Sequence, residues 1–157
     1  MAHTHDYAVH LVWTGAREGP TRDYASYSRT YTLAIDGKPT LTATADPTFG
    51  GDPALHNPED LLVASLAGCH MLTYLALCAR AKIAVTAYED AASGTMVVEG
   101  GGGHFTDVTL RPRVTVAAGT DVEKARALHE PAHRHCFIAA SVNFPVRHQA
   151  EITVAQG

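Results

Sequence analysis

The sequence predicts a single α+β domain, residues 1–157, in which a mostly antiparallel sheet surrounds one long helix. Three observations predict it. Between Asn57 and Lys82 the chain reads NPEDLLVASLAGCHMLTYLALCARAK, with no formal charge from Leu61 to Ala79. Short alternating segments flank that stretch on both sides, and a second helix pattern begins near Thr120. The resulting order is strands, helix, strands, helix, strand.

The long helix has a start signal. Asn57 can cap it, Pro58 suits the first turn, and Glu59 and Asp60 place negative charge at the positive end of its dipole. Apolar or small side chains occupy every face, so the helix is expected to be buried all round. Nineteen uncharged residues would also span a bilayer. Ser65, Gly68, His70, Thr73 and Tyr74 interrupt the apolar character and no second span follows, which favours a core helix without a membrane. Cys69 and Cys78, nine residues apart, point to roughly opposite sides.

The remaining elements follow in order. Tyr7–Thr14 reads as a strand ended by Gly15, and Tyr27–Leu33 as a second, with Tyr27, Arg29, Tyr31 and Leu33 on one face. An inward Arg29 needs a carboxylate or equivalent partner; the other reading lays its stem over the tyrosines with its head in water. Thr40–Ala45 is a third strand, and Asp46–His56, with two prolines and two glycines, is a loop that could wall a site near the helix start. Ile83–Tyr88 and Thr95–Glu99 read as strands around the turn Glu89–Gly94. Gly100–Gly103 lacks the Lys-Ser/Thr of a phosphate loop and reads as a hairpin tip. Phe105–Ala117 is a further strand. Thr120 and Glu123 form a capping box for a second helix that Pro131 should end or kink, Ala132–Ala140 is a short helical segment, and Pro145–Val154 closes the chain as a strand.

Composition excludes several function classes. Net charge is −4, and neither Lys nor Arg forms a long run, which disfavours a nucleic-acid partner. The first residues lack the basic region and apolar block of a signal peptide, so a cytoplasmic protein is expected. Three cysteines do not make a disulfide scaffold in a chain of this size; they are core residues, metal ligands or redox thiols. His129, His133, His135 and Cys136 crowd into eight residues, and His129 and His133 have the spacing of two ligands on one helix face. Pro131 between them spoils that geometry, no H-E-x-x-H pattern is present, and no metal or other cofactor is assigned.

Taken together, HNPEDLLVASLAGCHM around Cys69 and AHRHCFIAASVNFPV around Cys136 resemble the two signature segments of the OsmC/Ohr family, the osmotically inducible and organic-hydroperoxide-resistance proteins. WTGAREG and YSRTY fit the same pattern less specifically. The resemblance implies an intertwined homodimer, a sheet wrapped around the central helix, and a thiol peroxidase. It implies that Cys69 attacks an organic hydroperoxide and becomes a sulfenic acid, that Cys136 resolves it as a disulfide, and that a small dithiol or thioredoxin-like partner supplies electrons. Glu59 matches the family's glutamate. The arginine that poises the thiolate is Arg29 or, second, Arg17. Phe137 stands where the best-characterised members have proline, which places the chain in a less-characterised branch.

Ten residues of helix span about 15 Å. Glu59 therefore cannot reach Cys69 of its own chain along an unbroken helix, and either the helix is interrupted or Glu59 serves a second chain's site. A non-enzymatic domain of this fold that binds a small apolar ligand or metal at the interface, and a peroxide sensor, are the alternative functions.

Overall fold

The structure, a computed structural model, describes residues 3–156 and packs as two compact units, Met1–Leu61 and Leu62–Gly157. In the first unit, β1 (His10–Val12), β2 (Tyr31–Ala34) and β3 (Leu41–Ala43) form an antiparallel sheet in that order. Each strand lies in or against its predicted segment but is shorter. The cause is local: Thr14–Arg17 turns as a 3-10 helix, Gly15 N–H donates to the Thr30 carbonyl at 2.9 Å, and the Trp13 indole donates to the Ser28 carbonyl at 2.7 Å. Residues 28–30 are thus occupied before a ladder can form. Arg29 consequently precedes β2 instead of standing on its inward face.

The loop after β3 is ordered by Asp46, whose carboxylate accepts from the Thr48 hydroxyl and, at 2.7 Å, from Thr48 N–H at the start of the 3-10 turn Pro47–Phe49. Those bonds hold the Asp46 carboxyl below the usual carboxylate range. Asn57 then caps the long helix α1 (Pro58–Arg80) reciprocally: Asp60 N–H donates to Asn57 Oδ1 at 2.8 Å, and Asn57 N–H donates to Asp60 Oδ2 at 3.3 Å. Two of the orphan donors of the helix start are satisfied in this way.

The second unit is α+β, with strands β4 (Val85–Asp90), β5 (Ser93–Glu99), β6 (Gly102–Leu110), β7 (Pro112–Val116), β8 (Val146–His148) and β9 (Glu151–Val154). They form two sheets, β4-β7-β9 and β5-β6-β8. Of the pairings in the two units, β6 with β8 and β7 with β9 are parallel and the other four are antiparallel. The predicted strand Phe105–Ala117 divides because Pro112 has no N–H to continue the ladder, and the Arg111 N–H before it donates to Asp90 Oδ1 at 2.7 Å. The predicted closing strand divides as well, its halves joining different sheets. Gly100 (φ 60°) and Gly101 (φ 82°) both adopt the left-handed conformation of a two-residue hairpin turn between β5 and β6, as the glycine run predicts.

The long helix is not buried all round. Leu66, His70, Tyr74 and Cys78, four residues apart, form one buried stripe, whereas Leu72 is 65% exposed. Leu66 packs with Val108, Leu110 and Val146; Tyr74 and Cys78 pack with Val114, Val116, Ala125 and Ala132. By length and composition alone this helix could cross a membrane, yet its stripe covers both sheets. Two short helices complete the second core, α2 (Val122–Ala127) and α3 (His129–Arg134). Asp121, not Thr120, caps α2, its carboxylate accepting from Lys124 N–H at 3.0 Å. Pro131 does not end a helix: it sits in the first turn of α3, where its missing N–H has no intrahelical partner to lose.

Candidate active site

On α1, Cys69, Leu72, Thr73, Ala76, Leu77 and Arg80 recur at helical spacing and form one face. This face is the floor of an apolar cleft of about 790 Å³ in the second unit, closed at its sides by His135 and Phe137. Cys69 is half-buried there, and Phe137 is 81% exposed at the rim.

Cys136 lies just past α3 and is buried, 1% exposed. Its N–H donates to the His133 carbonyl at 3.2 Å, and its Sγ accepts from Ala139 N–H at 3.4 Å. Burial, and then the side chain of Cys69 beside it, push the Cys136 thiol up to about 11. The structure therefore brings together the two cysteines that the sequence singles out. Cys136 is a protonated thiol at neutral pH, and Cys69 is the sulfur that lines the cleft. Cys78 faces away from the cleft, packed in the core beside Tyr74, where burial raises its pKa too.

The histidine cluster is divided between the core and the cleft. His129 turns inward from α3 and meets His70 of α1, Nδ1 to Nε2 at 2.9 Å, both rings being 1% exposed. Burial, with the neighbouring His148 next, lowers His70 to about 4; burial, with His70 next, lowers His129 to about 3. Tyr74 stacks on His129 with centroids 3.9 Å apart and donates its hydroxyl to the Ala125 carbonyl at 3.0 Å. His148 reaches Glu130 at 3.5 Å. His135 opens onto the cleft. Among the described residues no group of three or more His, Cys, Asp or Glu side chains could hold a metal ion.

The candidate residues of the first unit are placed by their own surroundings. The Arg29 guanidinium lies over the rings of Tyr27 and Tyr24, 4.0 and 4.9 Å from their centroids, and donates to the Tyr27 and Tyr24 carbonyls. Its partners are thus two aromatic faces and two backbone carbonyls, nearer the reading that lays Arg29 over the tyrosines than the one that pairs it with a carboxylate. A Cβ on Gly50 would come within 2.9 Å of the guanidinium carbon, so the glycine of the preceding loop gives Arg29 its space. Arg17 is exposed at the end of its 3-10 turn. Glu59 is half-buried in the first turn of α1, which has no break between Glu59 and Cys69.

Sequence reasoning missed His70 and His148 as partners of the cluster. The four-residue spacing of Leu66, His70, Tyr74 and Cys78 was a signal for one packed face, but nothing in the sequence pairs His70 with His129. It also missed Leu72, Thr73, Leu77 and Phe137 as cleft walls.

Residues 50–151, well over half of the chain, match the family model described as OsmC-like protein. Among solved structures, an OsmC-like protein of unknown function from Vibrio cholerae is 30% identical with a TM-score of 0.85, covering 94% of this chain and 100% of its own. An organic hydroperoxide resistance protein from Elizabethkingia anophelis with thiocyanate bound has 20% identity and a TM-score of 0.67, with 98% of this chain and 100% of that chain covered. A putative organic hydroperoxide resistance protein from Vibrio cholerae with captopril bound in one of its active sites has 19% identity and a TM-score of 0.63, with 98% of this chain and 94% of that chain covered. No curated protein matches the sequence. With the family match spanning both cysteine segments and a 30%-identical solved structure covering 94% of the chain, the chain belongs to the OsmC-like family.

Proposed function

We propose that the protein is a thiol peroxidase that reduces organic hydroperoxides, with Cys69 as nucleophile and Cys136 as resolving thiol. The observation that carries this reading is the unequal pair: a half-buried Cys69 lining an apolar cleft beside a buried Cys136 whose thiol is held protonated. In its thiolate form Cys69 attacks the terminal oxygen of the hydroperoxide, the O–O bond breaks, and a Cys69 sulfenic acid and an alkoxide result, the alkoxide taking up a proton to leave as the alcohol. Cys136 then condenses with the sulfenic acid, forming a disulfide and releasing water. A small dithiol or thioredoxin-like reductant restores both thiols.

The apolar cleft walls favour bulky organic peroxides over hydrogen peroxide. Arg29 and Glu59 serve as the pair that orients the thiolate and the peroxide oxygens. Because α1 runs unbroken from Pro58 to Arg80, Glu59 acts in this reading on the site of a second copy, in a homodimer. The proposed compartment is the cytoplasm.

Peptide mapping by mass spectrometry after one equivalent of an organic hydroperoxide tests the reading. A Cys69–Cys136 disulfide forming within seconds, with Cys78 free, is the expected result. Three unchanged thiols would sink the peroxidase and leave the cleft as a binding site for a small apolar ligand.

A further inference from the structure

The two thiol steps move protons, and the cleft offers few groups to carry them. Of its lining residues, Cys69, Arg80 and His135 are ionisable, and Arg80 cannot be deprotonated in a protein. His135 caps the C-terminus of α3, is exposed to the cleft that Cys69 lines, and directly precedes Cys136 in the chain. The other imidazoles of the cluster are engaged elsewhere: His70 and His129 bond each other in the core, and His148 lies beside Glu130 with its ring tilted against that of His133, centroids 5.9 Å apart.

We propose that His135 is a catalytic residue of this chemistry, an imidazole that carries the proton in both half-reactions. The inference rests on the peroxidase reading. In the first step the Cys69 thiolate takes the terminal oxygen of the hydroperoxide as S–OH, and the leaving alkoxide takes a proton from the His135 imidazolium, giving an alcohol and neutral imidazole. In the second, neutral His135 removes the proton of the Cys136 thiol while the Cys136 sulfur attacks the Cys69 sulfur. The S–O bond breaks, and the departing hydroxide receives that proton and leaves as water. Burial favours the protonated form of Cys136, so a base that takes this proton as the sulfur attacks speeds the second step.

Single-turnover kinetics test it, using sulfenic-acid trapping and disulfide mapping on the wild-type chain, His135→Ala and His135→Asn. General acid–base groups contribute about 10²–10⁴-fold, so disulfide formation in both variants should slow by about 10²-fold. Added imidazole should restore a large part of the rate in His135→Ala, which a structural role would not allow. Wild-type rates in both variants, or slowed rates that imidazole leaves unchanged, would overturn the assignment while leaving the peroxidase reading intact. A wild-type chain that forms neither Cys69 sulfenic acid nor the Cys69–Cys136 disulfide would overturn both.

Discussion

His70 and His129 are joined by one hydrogen bond: His70 Nε2 lies 2.9 Å from His129 Nδ1, while His70 Nδ1 and His129 Nε2 are buried without any partner. Their ring planes differ by 8° and their centroids are 5.2 Å apart, the separation of an in-plane hydrogen bond and not of a face-to-face stack. Two neutral rings can make one bond here, which leaves one outer nitrogen with an unmet hydrogen or lone pair at each end. A protonated ring has no carboxylate or carbonyl to turn to.

Stability should therefore fall on acidification. Both imidazoles have folded-state pKa values, about 4 and about 3, below the unfolded value of 6.5. As pH falls below about 6.5 the unfolded chain takes up protons first, so unfolding becomes easier, and the loss continues until the folded pKa is reached. Urea midpoints should drop between pH 7.5 and pH 4.5. His70→Leu combined with His129→Leu removes both partners together, so it should flatten that acid limb. A limb of equal depth in the double variant would show that other groups cause it.

The thiols should differ sharply in reactivity. Cys136 and Cys78 are both 1% exposed with pKa values raised by burial, and Cys69 lines the cleft. Alkylation with iodoacetamide at pH 8, read by peptide mass, should label Cys69 first and reach the other two only after unfolding. Early labelling of Cys136 would reverse the assignment of nucleophile and resolving thiol.

What was legible in the sequence was whatever a local rule determines. Asn57, Pro58 and Asp60 announced the helix start, and the glycine run announced the hairpin. The α+β class followed from the element order. Partner choice was not legible. Arg111 and Pro112 look like the interior of one strand by alternation, and only the Asp90 contact and the change of sheet reveal the break. By sequence the helix reads as buried on all sides because apolar character says nothing about how many neighbours exist; one stripe is covered and the Cys69 face remains a cleft. At the site, the resemblance named both cysteines, whereas the His70–His129 bond joins residues 59 positions apart and has no local signature.

The arginine assignment yields a prediction with two arms. Arg29 is held over two tyrosine rings and bonded through two of its nitrogens to two carbonyls, an arrangement that uses a forked donor, whereas Arg17 is exposed. Lysine cannot reproduce the fork. If Arg29 orients the peroxide, Arg29→Lys and Arg29→Ala should both lower kcat/KM for an organic hydroperoxide by at least about tenfold, roughly 1.4 kcal/mol. Arg17→Ala should leave it nearly unchanged. The opposite pattern would move the role to Arg17.

Two glycines should respond to alanine in opposite directions. A Cβ on Gly51 would fall inside the carbonyl oxygen of Ala45, a backbone atom that cannot swing aside. Gly51→Ala must therefore shift the loop that leads to α1, at a cost of about 1–3 kcal/mol or more. Gly68, inside α1 and next to Cys69, has nothing within 4 Å of its Cβ position and lines the cleft. Alanine is the better helix former, so Gly68→Ala should stabilise the fold by up to about 1 kcal/mol. The added methyl projects into the cleft that Cys69 lines, so on the proposed peroxidase reading the same variant should consume a bulky hydroperoxide more slowly than a small one, relative to wild type. Urea midpoints and a comparison of tert-butyl hydroperoxide with cumene hydroperoxide would read both effects. Greater stability with an unchanged substrate ratio would mean that the peroxide approaches Cys69 from another side of the cleft.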